Sequence, residues 1–154
     1  AVNAPPLDLR RCSINMQRFW LRPYNYYFIR ALLGSVPPGV HERADFRKAI
    51  QERRPRTLWE FDDRITAPLS GFDGAGDYYD QASACRVVSF NPVPTLVVAA
   101  ADDPIVPVGC FADDPGLWPQ STRLIITSTG GHMGFVDRRR RCWVDEVVTS
   151  WFST

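Results

Sequence analysis

The second half of the chain carries two short, unbroken apolar runs. Residues 95–101, TLVVAAA, and residues 123–127, RLIIT, are rich in β-branched and small apolar side chains. A continuous run of this kind is the pattern of a strand covered on both faces. About twenty residues separate the two, far more than a hairpin needs and enough for the crossover between parallel strands. The runs are therefore expected to be parallel neighbours in one sheet. At the C-terminal end, CWVDEVVTSWF (142–152) sets Trp143, Val147 and Trp151 four residues apart, which predicts an amphipathic helix.

Upstream the periodicity changes. Residues 7–33 are rich in aromatics and arginine and are broken by Pro23, which predicts two helices, the second starting near that proline. Gly34 and the VPPG at 36–39 stop it. In RADFRKAIQERR (43–54), Ala44, Phe46 and Ile50 recur among charges at helical intervals with Asp45 near the start, a surface helix. Residues 57–86 open with a helical turn, are interrupted at Pro68, Gly71, Gly74 and Gly76, and become helical again near Asp77. Little in residues 1–90 alternates like a strand, and there are no internal repeats.

Composition narrows the class. With 154 residues, 45% apolar and 23% charged, the chain is composed like one ordinary globular domain. Eighteen basic against seventeen acidic residues leave no overall field to recruit nucleic acid or an anionic membrane, so small or uncharged partners are expected. Nothing approaches the ~18 consecutive apolar residues of a membrane span, and no secretory leader is read. Cys12, Cys85, Cys110 and Cys142 are scattered without metal-ligand or redox spacing, which predicts reduced thiols, a cytoplasmic setting, and no metal or other cofactor.

Candidate chemistry lies just beyond the two strands. ADDPIVP places Asp102 and Asp103 after the first, and TSTGGHMGF places His132 after the second. Parallel strands end on the same edge, where open α/β sheets build their sites, so Asp103 and His132 are expected to meet. A carboxylate facing the imidazole fixes its tautomer and stabilises the imidazolium, as in a Ser-His-Asp triad. Asp and Pro also favour plain turns, and a histidine after a strand is ordinary in isolation; the pairing of the two loops is what favours chemistry. Asp102 alternates to the other side and is expected to support or cap a loop. His41 is read as an exposed loop residue, and RRRR (138–141) as a solvated loop.

The order strand, DDPIVP, crossover, strand, GGHMGF and tryptophan-bearing helix resembles the C-terminal half of an α/β-hydrolase of the YheT-like esterase and lipase branch. AVNAPPLDL, EFDDRITAPLSGFDGAGDYYDQAS and NPVPTLVVAAADDPIVP agree with that branch in order and spacing, and the likeness covers nearly the whole chain. The resemblance implies an α/β fold with the last two parallel strands, an incomplete sheet, and a helical lid and connecting segment over residues 1–90. Residues 91–154 would then hold the strands, the acid and histidine loops and the C-terminal helix. It implies Asp103 as triad acid, His132 as general base and a small acyl ester as substrate. Trp20, Tyr24, Tyr26, Tyr27, Phe28, Trp59, Phe72, Tyr78 and Tyr79 would line an acyl pocket or form lid core.

The family's G-x-S-x-G elbow does not occur here. Ser35 and Ser70, flanked by glycine, do not sit between a strand and a helix, and Cys110 lacks an elbow's glycines. The expectation is a portion of a serine ester hydrolase, inactive alone, whose nucleophile belongs to a missing N-terminal portion. The alternative is a non-catalytic truncated homologue acting as an interaction module. Two strands alone would also leave sheet faces and an edge uncovered.

Overall fold

The computed structural model describes residues 1–136 and 141–153. In chain order the strands and helices are β1 (Val2–Asn3), α1 (Leu9–Met16), α2 (Arg22–Ser35), α3 (Pro38–His41), α4 (Ala44–Glu52), α5 (Leu58–Phe61), α6 (Ala67–Leu69), α7 (Ala75–Ala82), β2 (Thr95–Ala100), α8 (Gly109–Ala112), β3 (Thr122–Thr127) and α9 (Trp143–Phe152). They divide into two compact units, one of residues 1–12 with 83–154 and one of residues 13–82.

The first unit is α/β. Its sheet has the order β1-β2-β3 with both pairings parallel. Thr95 pairs with Thr122 and Ala100 with Thr127, so β2 and β3 stay in register along their whole length. The β1 strand has no counterpart in the sequence reading, because two residues cannot display a period. Its place is set by Val2 opposite Val97 and by the Ala4 amide donating to the Val98 carbonyl at 2.8 Å.

Alternation along β2 feeds two cores. Leu96, Val98 and Ala100 face Phe135 and Val144, with Trp143, Val147 and Trp151 of α9 packed around them. Val97 and Ala99 face Leu7, Cys12, Val106, Cys110 and Phe111. Each such large side chain taken from water contributes about 1.5–3 kcal/mol, which makes β2 the anchor of the unit. Both faces of β2 are thus covered by the unit itself, whereas β3 exposes Arg123 and Ile126 and β1 exposes Val2. The crossover holds only the single turn α8 and a 3-10 turn, Pro115–Leu117, because prolines at 104, 107, 115 and 119 forbid a longer helix. Trp118 closes it, its indole Nε1 donating to the Phe111 carbonyl at 2.9 Å.

The second unit is helical. Pro23 opens α2, as its position predicts. Ile29, Phe46, Phe61 and Ile65 form the core, joined by Leu32, Leu33, Ile50 and Leu69. Thr57 caps α5 by accepting the Glu60 amide at 3.1 Å. The helix runs from α5 through a π-helical turn, Asp62–Thr66, into α6 and ends at Leu69, so the interruption expected from Pro68 to Gly76 lies between α6 and α7. Within the turn Asp62 is buried; Tyr79 Oη donates to its Oδ2 at 2.5 Å and Thr66 Oγ1 to its Oδ1 at 2.7 Å. Ser13 Oγ lies 3.1 Å from the same tyrosine hydroxyl. No helix among the described residues is long and apolar enough to cross a membrane.

Candidate active site

β2 and β3 deliver two loops to one sheet edge. After Ala100 the chain turns, the Asp103 amide donating to the Ala100 carbonyl at 3.3 Å. The Asp103 carboxylate is then held on one side by its own loop, where the amides of Ile105 and Val106 donate to Oδ1 at 2.7 and 3.0 Å. Its other oxygen, Oδ2, lies 3.0 Å from His132 Nδ1. The Asp103 side chain is 1% exposed and that of His132 is 30% exposed. The carboxylate is sealed in and the imidazole keeps an open side.

Chemistry assigns the proton on this bond. A carboxylate only accepts, so Nδ1 donates, and in the neutral ring Nε2 carries the lone pair. The geometry therefore leaves one nitrogen fixed and the other available for proton transfer, backed by an oriented buried carboxylate.

The two glycines before His132 have different duties. Gly131 takes φ +60°, a left-handed conformation that side chains disfavour, with open space around it. Gly130 instead permits close approach: a Cβ there would stand 2.7 Å from the Phe135 ring and 3.1 Å from Ala100 Cβ. Phe135, itself at φ 45°, is buried on Leu96, Val98 and Ala100, and its amide donates to the Gly130 carbonyl at 3.0 Å. The loop is thereby stapled to β2, a function of Phe135 that its sequence position does not announce. Asp102 ties the same loop from the other side, its Oδ1 accepting the Gly131 amide at 2.8 Å.

Other residues singled out in the sequence fall elsewhere. Ser35 ends α2, its hydroxyl donating to the Leu32 carbonyl, and Ser70 caps α6. Neither stands at a strand-to-helix elbow. Cys110 is buried in α8 beside Cys12, whose thiol is pushed up by its bond to Cys110 and by burial. All four cysteines are free. His41 is exposed at the end of α3, its ring edge-on to Phe46 at 5.1 Å. Of the nine aromatics expected in a pocket or lid core, Tyr79 is buried, Trp59 packs edge-on to it at 5.3 Å, and Trp20, Tyr24, Tyr26 and Tyr27 are exposed. Residues 138–140 of the arginine run lie outside the described residues; Arg141 pairs with Glu146 at 3.3 Å. No group of three or more His, Cys, Asp or Glu suited to a metal ion occurs among the described residues.

Comparison with known proteins yields relatives of one kind. The chain is 29% identical over 161 aligned positions to YheT, a candidate esterase of Escherichia coli (strain K12), covering 99% of this chain and 46% of that protein. It is 34% identical over 154 positions to an abhydrolase domain-containing protein of Dictyostelium discoideum, covering 97% of this chain and 38% of the relative. Over 114 positions it is 35% identical to the monoacylglycerol lipase of Saccharomyces cerevisiae, covering 70% and 24% respectively. The chain thus spans less than half the length of each of these relatives. No family model and no solved structure matches.

Proposed function

Because the chain belongs to the α/β-hydrolase family, on its YheT-like branch, we propose that it supplies the acid and base of a Ser-His-Asp triad in a carboxylic-ester hydrolase. His132 Nε2 takes the proton of a serine hydroxyl as that oxygen attacks the ester carbonyl, and later returns it to the departing alcohol. Asp103 holds the imidazole through Nδ1 and stabilises the imidazolium between the two transfers. The serine is contributed from outside residues 1–154, since no G-x-S-x-G occurs within them. The 3.0 Å contact between Asp103 Oδ2 and His132 Nδ1, at the carboxyl ends of adjacent parallel strands, carries the reading. The names of the relatives, esterase and monoacylglycerol lipase, support a small acyl ester as substrate. Four free thiols fit a reducing, cytoplasmic setting.

The test is hydrolysis of a p-nitrophenyl acyl ester by the whole protein. His132→Ala is expected to lower kcat by roughly 10⁶-fold and Asp103→Asn by roughly 10⁴-fold, the scales seen when a triad loses its base and its tautomer control respectively. A histidine variant that turns over ester as fast as the parent overturns the assignment. Residues 1–154 alone are expected to be inactive; turnover by them would place the nucleophile inside this chain.

A further inference from the structure

The helical unit turns its aromatic side chains outward. Leu21, Asn25 and Ile29 form the buried line of the segment around α2. At about 100° per residue, the rest of the helix circumference belongs to Arg22, Tyr24, Tyr26, Tyr27 and Arg30, all exposed. Just before the helix come Phe19 and Trp20. Phe19, Trp20, Tyr26 and Tyr27 are 66 to 73% exposed, where a water-facing helix ordinarily carries charged and polar residues. No carboxylate side chain occurs anywhere between Asp8 and Glu42. The arginines instead stand over the rings, Arg18 at 5.5 Å from the Trp20 centroid and Arg22 at 4.9 Å from that of Phe19.

Beside this arc lies a cleft of about 1220 Å³. Arg22 and Arg30 of α2 and Arg53, Arg54 and Arg56 from the segment after α4 line it, against one acid, Glu60. That acid is already engaged, paired with Arg53 and accepting the Arg56 amide. The balanced total charge of the chain therefore conceals a local excess of cations next to exposed rings.

We propose that this face of the helical unit seats on an anionic lipid surface, with the arginines on lipid phosphates and the aromatic rings at headgroup depth. Amphipathic Trp and Tyr rings favour the membrane interface, and each cation near an anionic leaflet adds attraction. A single-stranded nucleic acid also uses arginine and aromatic stacking, but it needs rings facing into a groove that tracks its backbone. Here, among the described residues, Tyr26 is the one ring that lines the cleft, and Phe19, Trp20, Tyr24 and Tyr27 stand outside it. The inference is independent of the hydrolase chemistry proposed above.

Flotation of the whole protein with vesicles tests it. Vesicles of phosphatidylcholine doped with phosphatidylglycerol are expected to carry the chain up roughly tenfold more than phosphatidylcholine alone, with the difference collapsing as salt rises. The double substitution Arg30→Gln, Arg54→Gln and, separately, Trp20→Ser with Tyr27→Ser are each expected to weaken binding roughly tenfold. These positions are exposed, and an unchanged far-UV circular dichroism spectrum verifies the fold. Equal binding to neutral and anionic vesicles, no binding to either, or arginine variants that float like the parent overturns the proposal. So does displacement by inorganic phosphate beyond that of salt at equal ionic strength, which would mark a free-phosphate site. Preference for a single-stranded oligonucleotide, or self-association abolished by Trp20→Ser without vesicle binding, likewise overturns it.

Discussion

Asp103 Oδ2 faces His132 Nδ1 at 3.0 Å while the opposite oxygen of the same carboxylate is held by two amides of its own loop. The acid is thus immobilised by residues 105 and 106 independently of the histidine. Removing its charge and removing its oxygens should therefore have different effects. Asp103→Ala leaves the Ile105 and Val106 amides without their acceptor and is expected to cost about 1–3 kcal/mol. Asp103→Asn keeps an oxygen for those amides and should cost less, while releasing the proton from Nδ1. Thermal melts and ¹⁵N shifts of the His132 ring check the two halves. A ring tautomer indifferent to Asp103→Asn would refute the oriented pair.

The glycines at 130 and 131 should fail differently. Gly130→Ala drives a methyl group into the Phe135 ring and Ala100, and is expected to cost roughly 1–3 kcal/mol and to displace Phe135 from the core. Gly131→Ala meets open space and carries only the left-handed backbone penalty, about 1–2 kcal/mol. Denaturant titration gives both costs. The near-ultraviolet signal of the stacked Phe135 and Trp143 should change only for Gly130→Ala.

Asp102 acts on the histidine loop from outside the Asp103–His132 pair. Asp102→Ala should cost about 1 kcal/mol by releasing the Gly131 amide, and hydrogen exchange at that amide should accelerate several-fold. Asp102→Asn, which retains an acceptor, is expected to restore most of the protection.

Burial holds the Asp62 carboxyl above its ordinary range, with the hydroxyls of Tyr79 and Thr66 opposing the shift. A carboxyl whose folded-state affinity for protons exceeds its unfolded affinity favours folding most at low pH. The helical unit should lose this contribution as pH rises from the ordinary aspartate range, near 3.8, through the raised folded value. Asp62→Asn removes the titrating group while keeping an acceptor for Tyr79, and is expected to flatten the pH dependence of the melting temperature over that interval. A profile unchanged by the substitution would assign it to other groups.

The features legible in the sequence were those with a long period or an unusual residue. β2 and β3 declared themselves through unbroken apolar runs, α9 through Trp143, Val147 and Trp151, and the start of α2 through Pro23. The histidine loop showed itself because two glycines precede an imidazole. What escaped was short or cooperative. β1 is two residues defined only by its neighbour, and the π-turn over Asp62–Thr66 is a single turn too short to show a period of its own. The division of labour between Gly130 and Gly131 needed the position of Phe135. Counting charges over the whole chain likewise hid the gathering of Arg22, Arg30, Arg53, Arg54 and Arg56 around one cleft.

The unshifted pairing of β2 with β3 makes length, more than composition, the property these strands must preserve. Deleting one residue between 95 and 100 would invert the facing of everything after it and swing the aspartate to the wrong side of the sheet. An insertion near residue 116, in the turn between α8 and β3, leaves both strand ends where they are. Indel scanning should therefore find the spacer permissive and the strands closed to frame changes of even a single residue.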